Sequence, residues 1–283
     1  MKVSNIRPTV KCYNENEWEF VYPNSIDNEK TYNEFWEGVE LLDYDDTKAE
    51  KIFKGLIAKH PFYIDAYNHL SISFRNQNKT FESLLTAEKS YNIGKQCFPN
   101  EFNPKTDKLI WSILENRPFL RACQTYGLEC QAHKDYSTAI EIFNENLLLN
   151  DNDNQGIRYL LLEIYFVKKD LQATREIIEK FKDDYSIEFM FGAVSLEIME
   201  NNFDKADNIL KEAVKINKFF IAEIIKDKHQ APPPFRLPGE PNYNAGIPIG
   251  SIQQAYDYWL RNKELYKTKK IQDYYKERKA SFE

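Results

Sequence analysis

Glycine and cysteine are both scarce in this sequence, and their scarcity removes several classes of site. Glycine accounts for 9 of the 283 residues. Neither GxxxxGKS/T nor GxGxxG, the loops whose backbone N–H groups hold phosphates, occurs. The four cysteines, Cys12, Cys97, Cys123 and Cys130, include no CxxC pair, so their spacing predicts neither a disulfide framework nor a zinc site. We therefore expect reduced thiols, no metal and no cofactor.

Long apolar runs and catalytic motifs are also missing. No stretch approaches the roughly 18 consecutive apolar residues of a membrane helix, and Met1–Pro8 has no apolar segment of signal-peptide length. HExxH is absent. The acidic pairs Asp45-Asp46 and Asp183-Asp184 stand at turns, where carboxylates are typical of helix starts. We therefore expect a cytoplasmic protein that is not an enzyme and does not enter a membrane.

The charge balance is mildly acidic. Lys and Arg number 38 against 44 Asp and Glu, which gives a net charge of −6. A chain with this balance is not, as a whole, a basic nucleic-acid binder. Aromatic residues make up 14% of the sequence and charged residues 29%. This composition is typical of amphipathic helices, which have one buried apolar face and one solvent-exposed polar face.

Small residues recur at a fixed interval in the middle of the chain. Ala139, Ala173 and Ala206 follow one another 34 and 33 residues apart, each near the start of an apolar periodic segment. An interval of this size predicts stacked antiparallel helix pairs, because each pair buries part of its apolar face against the next. The expected product is a helical solenoid with a concave surface, of the kind that binds other proteins.

Local signals mark the ends of several elements. Glu17–Tyr22 alternates polar and apolar residues before Pro23, which predicts a short extended segment. Pro61 marks the end of the first helix pair, and Pro118 stands where the first turn of a helix tolerates proline. We also expect a short helix over Leu109–Leu114.

Part of the sequence resembles a known family. The match covers roughly residues 108–165 and is carried by Arg117–Ala122, Tyr126-Gly127, Tyr136–Ala139, Phe143 and Asn150–Tyr159. These segments resemble the tetratricopeptide (TPR) repeats of a group of bacterial proteins without assigned activity. The resemblance implies an interaction scaffold with no catalytic residues to carry over.

Together these signals predict an all-α protein, an α-solenoid of about five TPR-like antiparallel helix pairs with an N-terminal arm and a C-terminal capping helix. The arm is expected at 1–30 and the repeat array at 31–225, with an insertion at about 98–108. A Pro-rich loop follows at 226–250, and 251–283 is expected to form the capping helix and a basic tail.

The resemblance also suggests binding residues. Some members of the family hold a partner's C-terminal carboxylate between Lys, Asn and Arg side chains, which lie on the first helix of successive helix pairs. The corresponding positions here, none of which is a lysine, are Asn68, Arg75, Arg121, Gln124 and Arg158.

Spacing along the first helices points to an overlapping set of polar residues. Arg121, Gln124, Gln131 and Arg158 are expected to face the concave side. Guanidinium groups grip carboxylates through paired hydrogen bonds, so this set favours a protein or peptide partner with an acidic segment. A second interpretation remains open, in which Arg158 pairs with the nearby carboxylates Asp151 and Asp153 and joins two repeats.

The C-terminal tail allows a different function. Basic residues from Arg261 to Lys279 are interleaved with Tyr266, Tyr274 and Tyr275. Cationic side chains with stacking rings are typical of single-stranded nucleic-acid binding, whereas tyrosines that pack inward are typical of a capping helix. We therefore predict a protein-binding scaffold, adaptor-like or co-chaperone-like, and keep a nucleic-acid-associated regulator as the alternative.

Overall fold

The computed structural model describes residues 6–236 and 246–281. The chain divides into two compact units, Met1–Ile157 and Arg158–Glu283, and each is described by itself. Residues 237–245 of the predicted Pro-rich loop lie outside the described residues.

The first unit begins with a β-hairpin. Strand β1 (Thr9–Asn14) pairs antiparallel with β2 (Glu17–Val21), which confirms the extended segment predicted there. Phe20 of β2 is fully buried against the rings of Phe98 and Phe119, at 5.6 and 5.4 Å between centroids. The hairpin is thus fixed to the helices by its aromatic face.

Three helix pairs complete the first unit. Side-chain oxygens of Asn28, Asp45 and Asp135 accept hydrogen bonds from backbone N–H groups and so cap the helices that follow them. Pro118 lies in the first turn of α5, as predicted. The helices are α1 (Glu29–Leu41), α2 (Asp46–Lys59), α3 (Ile64–Asn76), α4 (Thr80–Lys95), α5 (Arg117–Ala132) and α6 (Tyr136–Leu149).

The helix predicted over Leu109–Leu114 does not form. The backbone N–H groups of this region bond elsewhere: Lys108 donates to the carbonyl of Asn16, and Leu109 donates to that of Leu149. Lys108 pairs with Glu17 in a parallel β-bridge, so the backbone enters the segment in an extended conformation. The N–H of Ile113 then donates to the carbonyl of Ile110, three residues earlier, which is a turn and not an α-helical bond. The segment ends in a single 3₁₀ turn at Leu114–Asn116.

The second unit is helical throughout its described elements. Tyrosine and tryptophan side chains from its last helices pack against the helices between Ile187 and Ile224 and build its core. The helices are α7 (Ile157–Lys168), α8 (Leu171–Lys180), α9 (Ile187–Met199), α10 (Phe203–Ile216), α11 (Phe220–Ile224), α12 (Ile252–Arg261), α13 (Lys263–Tyr266) and α14 (Lys269–Arg278).

The single capping helix predicted at the C-terminus is replaced by the three helices α12–α14. Polar side chains bond the carbonyls where two of these helices end: the Asn262 amide donates to the carbonyl of Tyr258, and the Gln272 amide donates to that of Tyr266. The Gln272 bond satisfies a carbonyl at the end of α13, whereas the Tyr258 carbonyl also accepts a hydrogen bond from the backbone N–H of Asn262.

The repeat predicted from alanine spacing is present with one correction. In the second helix of each pair, the fourth residue is small and fully buried. In α8 this residue is Thr174 and not Ala173, which is partly exposed. Threonine fits because its hydroxyl donates to the carbonyl of Asp170, one turn earlier. The five positions are Ala49, Ser83, Ala139, Thr174 and Ala206.

Candidate functional site

A cleft of about 620 Å³ opens in the first unit. Its walls come from the strand end of the hairpin, the start of α1, α3 and the first turns of α5. The volume lies in the range of sites that hold small ligands or side chains of a partner. The rings that line it are Tyr22, Tyr32, Phe35, Trp36, Tyr63 and the imidazole of His69.

The aromatic wall continues from the core to the surface. Phe35 is buried, and its ring lies 5.5 Å from that of Tyr63 and 5.8 Å from that of Trp36 between centroids. Tyr32, one turn before Trp36, lies 5.9 Å from it. Yet Tyr32 is 59% exposed and Trp36 45% exposed. Two large rings left in water beside a cleft are typical of a surface that a partner covers.

An ion pair forms the polar part of the cleft. The Nε of Arg121 donates to Oδ1 of Asp65 at 3.0 Å, and its Nη2 donates to the other carboxylate oxygen. Asn68 donates to the same Oδ1 at 3.0 Å. Burial alone would raise the pKa of Asp65, but His69, Arg121 and Asn68 outweigh it and lower the pKa. Asp65 therefore stays ionised and holds the Arg121 guanidinium in place.

One buried hydroxyl in the wall has no hydrogen-bond partner among the described residues. It belongs to Tyr22, which follows strand β2. Burial, and then the nearby Asp65 carboxylate, raise the pKa of Tyr22 well above its usual value. The hydroxyl stays protonated, and a buried polar group of this kind gains stability when a ligand supplies its partner.

Of the residues that the sequence placed in one groove, Asn68 and Arg121 meet at the carboxylate of Asp65, and the other two arginines have different partners. Asn68 is buried, and its amide also donates to the carbonyl of Pro118 at 2.8 Å. Arg75 lies on the same helix and pairs with the buried carboxylate of Glu129. Within the cleft only Arg121 of the predicted set is a lining residue.

The two predicted glutamines lie farther along α5. The Gln124 side chain exchanges hydrogen bonds with Gln155, whereas the Oε1 of Gln131 is buried without a partner among the described atoms. Whether either residue contacts a ligand stays a prediction.

Arg158 belongs to the second unit. Its Nε donates to the carboxylate of Asp184 at 2.5 Å, and its guanidinium lies over the Tyr159 ring at 4.4 Å from the centroid. The cation is thus held by a carboxylate of its own unit, 26 residues further along the chain.

The sequence missed the aromatic lining. No binding role is predicted for Trp36 from the sequence, because it stands next to Phe35 in an apolar segment. The available signal was Tyr32, an aromatic residue that lies four positions earlier and therefore on the same helix face as Trp36.

The tyrosines of the basic tail are part of a core. Tyr266, Tyr274 and Tyr275 are buried, so their rings are not exposed for stacking on bases. Arg261 pairs with Glu163 and Glu188. The interpretation in which the tyrosines pack inward is confirmed.

Neither a metal site nor a membrane-spanning helix is present in the part of the chain that the structure describes. No group of three or more His, Cys, Asp or Glu side chains is arranged to hold a metal ion there. Within the same residues, no helix has both the length and the apolar character needed to cross a bilayer.

The fold is similar to those of solved TPR proteins. A tetratricopeptide repeat protein from Parabacteroides merdae aligns with 66% of this chain and 67% of its own, at 15% identity and a TM-score of 0.51. The MamA RS-1 ArsTM double mutant aligns over 66% and 94%, at 12% identity and a TM-score of 0.52. TPR-like repeats of a putative kinesin light chain from Podosopora anserina align over 66% and 94%, at 9% identity and 0.50. The predicted TPR-like, all-α fold is confirmed.

Sequence comparison identifies the family, which the repeats alone did not reveal. A search of curated proteins gave no match to this chain. The family model Tcf25, described as transcriptional repressor TCF25, matches residues 18–280. Because this match spans nearly the whole sequence, the chain belongs to the Tcf25 family.

Proposed function

We propose that this protein is a non-catalytic scaffold that binds a segment of another protein in the aromatic cleft of its first unit. The observation that carries the proposal is the pair Tyr32 and Trp36, exposed at 59% and 45% at the edge of a cleft of about 620 Å³. Large rings beside a concave site are the residues that most often dominate binding energy in protein interfaces.

The surface beyond the cleft suits an extended segment. Ile72 on α3 and Leu128 on α5 are exposed, and each lies seven residues, or two helical turns, after a cleft residue, Asp65 and Arg121 respectively. Residues seven apart share one face of a helix. A partner segment anchored in the cleft can therefore continue along α3 and α5 over these two side chains.

The predicted arginines support a different role from the one expected. Arg75, Arg121 and Arg158 each pair with a carboxylate of the chain, those of Glu129, Asp65 and Asp184. A cation that is already paired gains less from an acidic ligand, because the existing hydrogen bonds must be broken or shared. We therefore assign these residues to holding the helices, and the aromatic rings to binding.

The family description is compatible with this proposal. A transcriptional repressor can act through proteins that it binds as well as through nucleic acid, and the buried tail tyrosines favour the first route. If the alternative of a nucleic-acid-associated regulator were correct, single-stranded oligonucleotides would bind tighter than the non-specific range of about 10⁻⁴ to 10⁻⁶ M. Fluorescence anisotropy with labelled RNA and DNA at physiological salt measures this.

The test of the main proposal is a selection from a random-peptide phage library on the immobilised full chain. The affinity of a selected, synthesised peptide is then measured for the parent and for Trp36→Ala. We expect Kd to rise at least about tenfold in the variant, because truncating an aromatic anchor removes a large share of binding energy.

Tyr44→Ala is the matched control. Tyr44 is another large ring of the first unit, 75% exposed but outside the cleft lining. This variant should bind the peptide with unchanged affinity, and both variants should unfold at the parent's denaturant midpoint. A selection that yields no peptide whose binding depends on Trp36 contradicts the proposal.

A further inference from the structure

The charges around the cleft are unbalanced. Among the described residues, the carboxylates of Asp27, Glu29 and Glu115 line the cleft and belong to no ion pair. Asp27 and Glu29 stand at the start of α1, and Glu115 stands in the 3₁₀ turn before α5. All three are exposed, so they border the opening rather than the buried ion pair.

The cations of the lining do not offset these carboxylates. Arg121 is neutralised by Asp65. Arg117 lines the cleft without a carboxylate partner among the described residues, but its Nε donates to the carbonyl of Trp111 at 2.9 Å and its guanidinium lies over that residue's ring at 5.0 Å. Three unpaired carboxylates thus stand against one arginine that is held by a neighbour.

The aromatic rings add to the same preference. A cation within about 6 Å of a tyrosine or tryptophan ring is attracted by the negative face of the ring, and Tyr32 and Trp36 present their rings to water beside Glu29. Phe35 supplies an apolar surface behind them, on which an aliphatic stem can pack. The unpartnered hydroxyl of Tyr22 can accept a hydrogen bond from an N–H group.

We infer that the cleft holds a positively charged side chain, lysine or arginine, of the partner segment. This inference rests on the proposed function, and it reverses the acidic preference expected from the sequence. The side chain places its stem against Phe35 and Trp36, and its charged end near the carboxylates of the opening.

The first part of the test uses the peptides from the phage selection. Peptides that bind in the cleft should share a lysine or arginine. Replacing that residue by norleucine, which keeps an aliphatic stem without the charge, should raise Kd by about tenfold, as loss of a charged contact at a binding anchor does. Replacement by glutamate should weaken binding further.

The second part changes the protein. In the double variant Glu29→Gln, Glu115→Gln, the peptide should bind about tenfold more weakly, because two of the carboxylates that attract the cation are removed. The matched control is Glu37→Gln, Glu40→Gln, which changes the net charge equally at two exposed positions of α1 outside the lining. Its Kd should stay within about twofold of the parent's, since water and salt screen distant charges.

The outcomes separate the inference from the proposal on which it rests. If Trp36→Ala abolishes binding but the selected peptides are acidic or neutral, the cleft is a binding site and the inference is wrong. Equal Kd values for the two charge-neutralised double variants also overturn it. If binding does not depend on Trp36, the proposed function itself fails.

Discussion

The two units use aromatic residues in opposite ways. In the first unit, Tyr32 and Trp36 remain in water beside a cleft, whereas in the second unit Tyr266 and Tyr275 are fully buried. Both pairs occur in helices with charged neighbours, so they look alike in the sequence. The difference shows that aromatic and charged composition alone does not locate a binding surface, because the packing of neighbouring helices decides which rings remain exposed.

The largest contrast should appear when one ring from each unit is truncated. Tyr266→Ala removes a fully buried ring that lies 5.0 Å from Phe220 between centroids, and we expect the free energy of unfolding to fall by about 3–5 kcal/mol. Tyr32→Ala removes an exposed ring and should change it by no more than about 0.5 kcal/mol. Urea denaturation of both variants measures the difference. Equal destabilisation would remove the distinction between a core and a binding surface.

Close packing in the first unit can be tested with glycine. A Cβ on Gly127 would lie 2.3 Å from the ring of Phe143, so Gly127→Ala should cost roughly 1–3 kcal/mol through overpacking. Gly55 also lies inside a helix, but nothing stands within 4 Å of an added Cβ. Gly55→Ala should stabilise by roughly 0.5–1 kcal/mol, because alanine has the better helix propensity. If both variants shift the denaturant midpoint in the same direction, the helix contact at Gly127 is wrongly placed.

The corrected repeat phase in the second unit makes a similar prediction. Thr174 is fully buried at the helix crossing and Ala173 is partly exposed. Thr174→Leu should cost roughly 1–3 kcal/mol, because it inserts volume into a packed site. Ala173→Leu should change stability by less than about 1 kcal/mol. The opposite ranking in thermal unfolding would restore the phase that the alanine spacing suggested.

Two carboxylates should give the units opposite responses to pH. Burial opposes the ionised form of Glu50, but hydrogen bonds from Lys54, Lys79 and Gln77 outweigh it and lower the pKa of Glu50 to about 2. Burial raises the pKa of Glu163 above its usual 4.5, although Arg261 opposes the change. Glu50 therefore contributes stability that is present above pH 4.5 and is lost as the pH falls towards 2. Glu163 makes stability fall as pH rises above 4.5.

Denaturation of Glu50→Gln and Glu163→Gln across this pH range checks both signs. Each variant should lose the corresponding slope of unfolding free energy against pH. A variant that keeps the parent's slope contradicts the environment described for its carboxylate.

The sequence predicted the helix pairs because their signals are local. Pro61, Pro118 and the recurring small residues mark helix ends and crossings within a few positions. The spacing of the alanines misplaces the helix crossing at Ala173, because Thr174 also fits there once its hydroxyl is bonded to the helix backbone.

The sequence could not predict the cleft, and the reason is different. It joins Tyr22, Trp36, Tyr63 and Arg121, which are far apart in the chain, and no periodicity relates a hairpin residue to three helices. The sequence does not show the pairing of Arg121 with Asp65, 56 residues away, so it predicts a ligand-binding residue where the structure has an ion pair.

The most direct test of the account is fluorine NMR of the full chain labelled with 5-fluorotryptophan, titrated with the selected peptide. The chain has four tryptophans, one of which, Trp36, lines the cleft of the first unit, and another of which, Trp259, lies in the core of the second. We expect the Trp36 resonance to shift or broaden with peptide concentration while that of Trp259 stays unchanged. A Trp259 resonance that moves while Trp36 does not would contradict it.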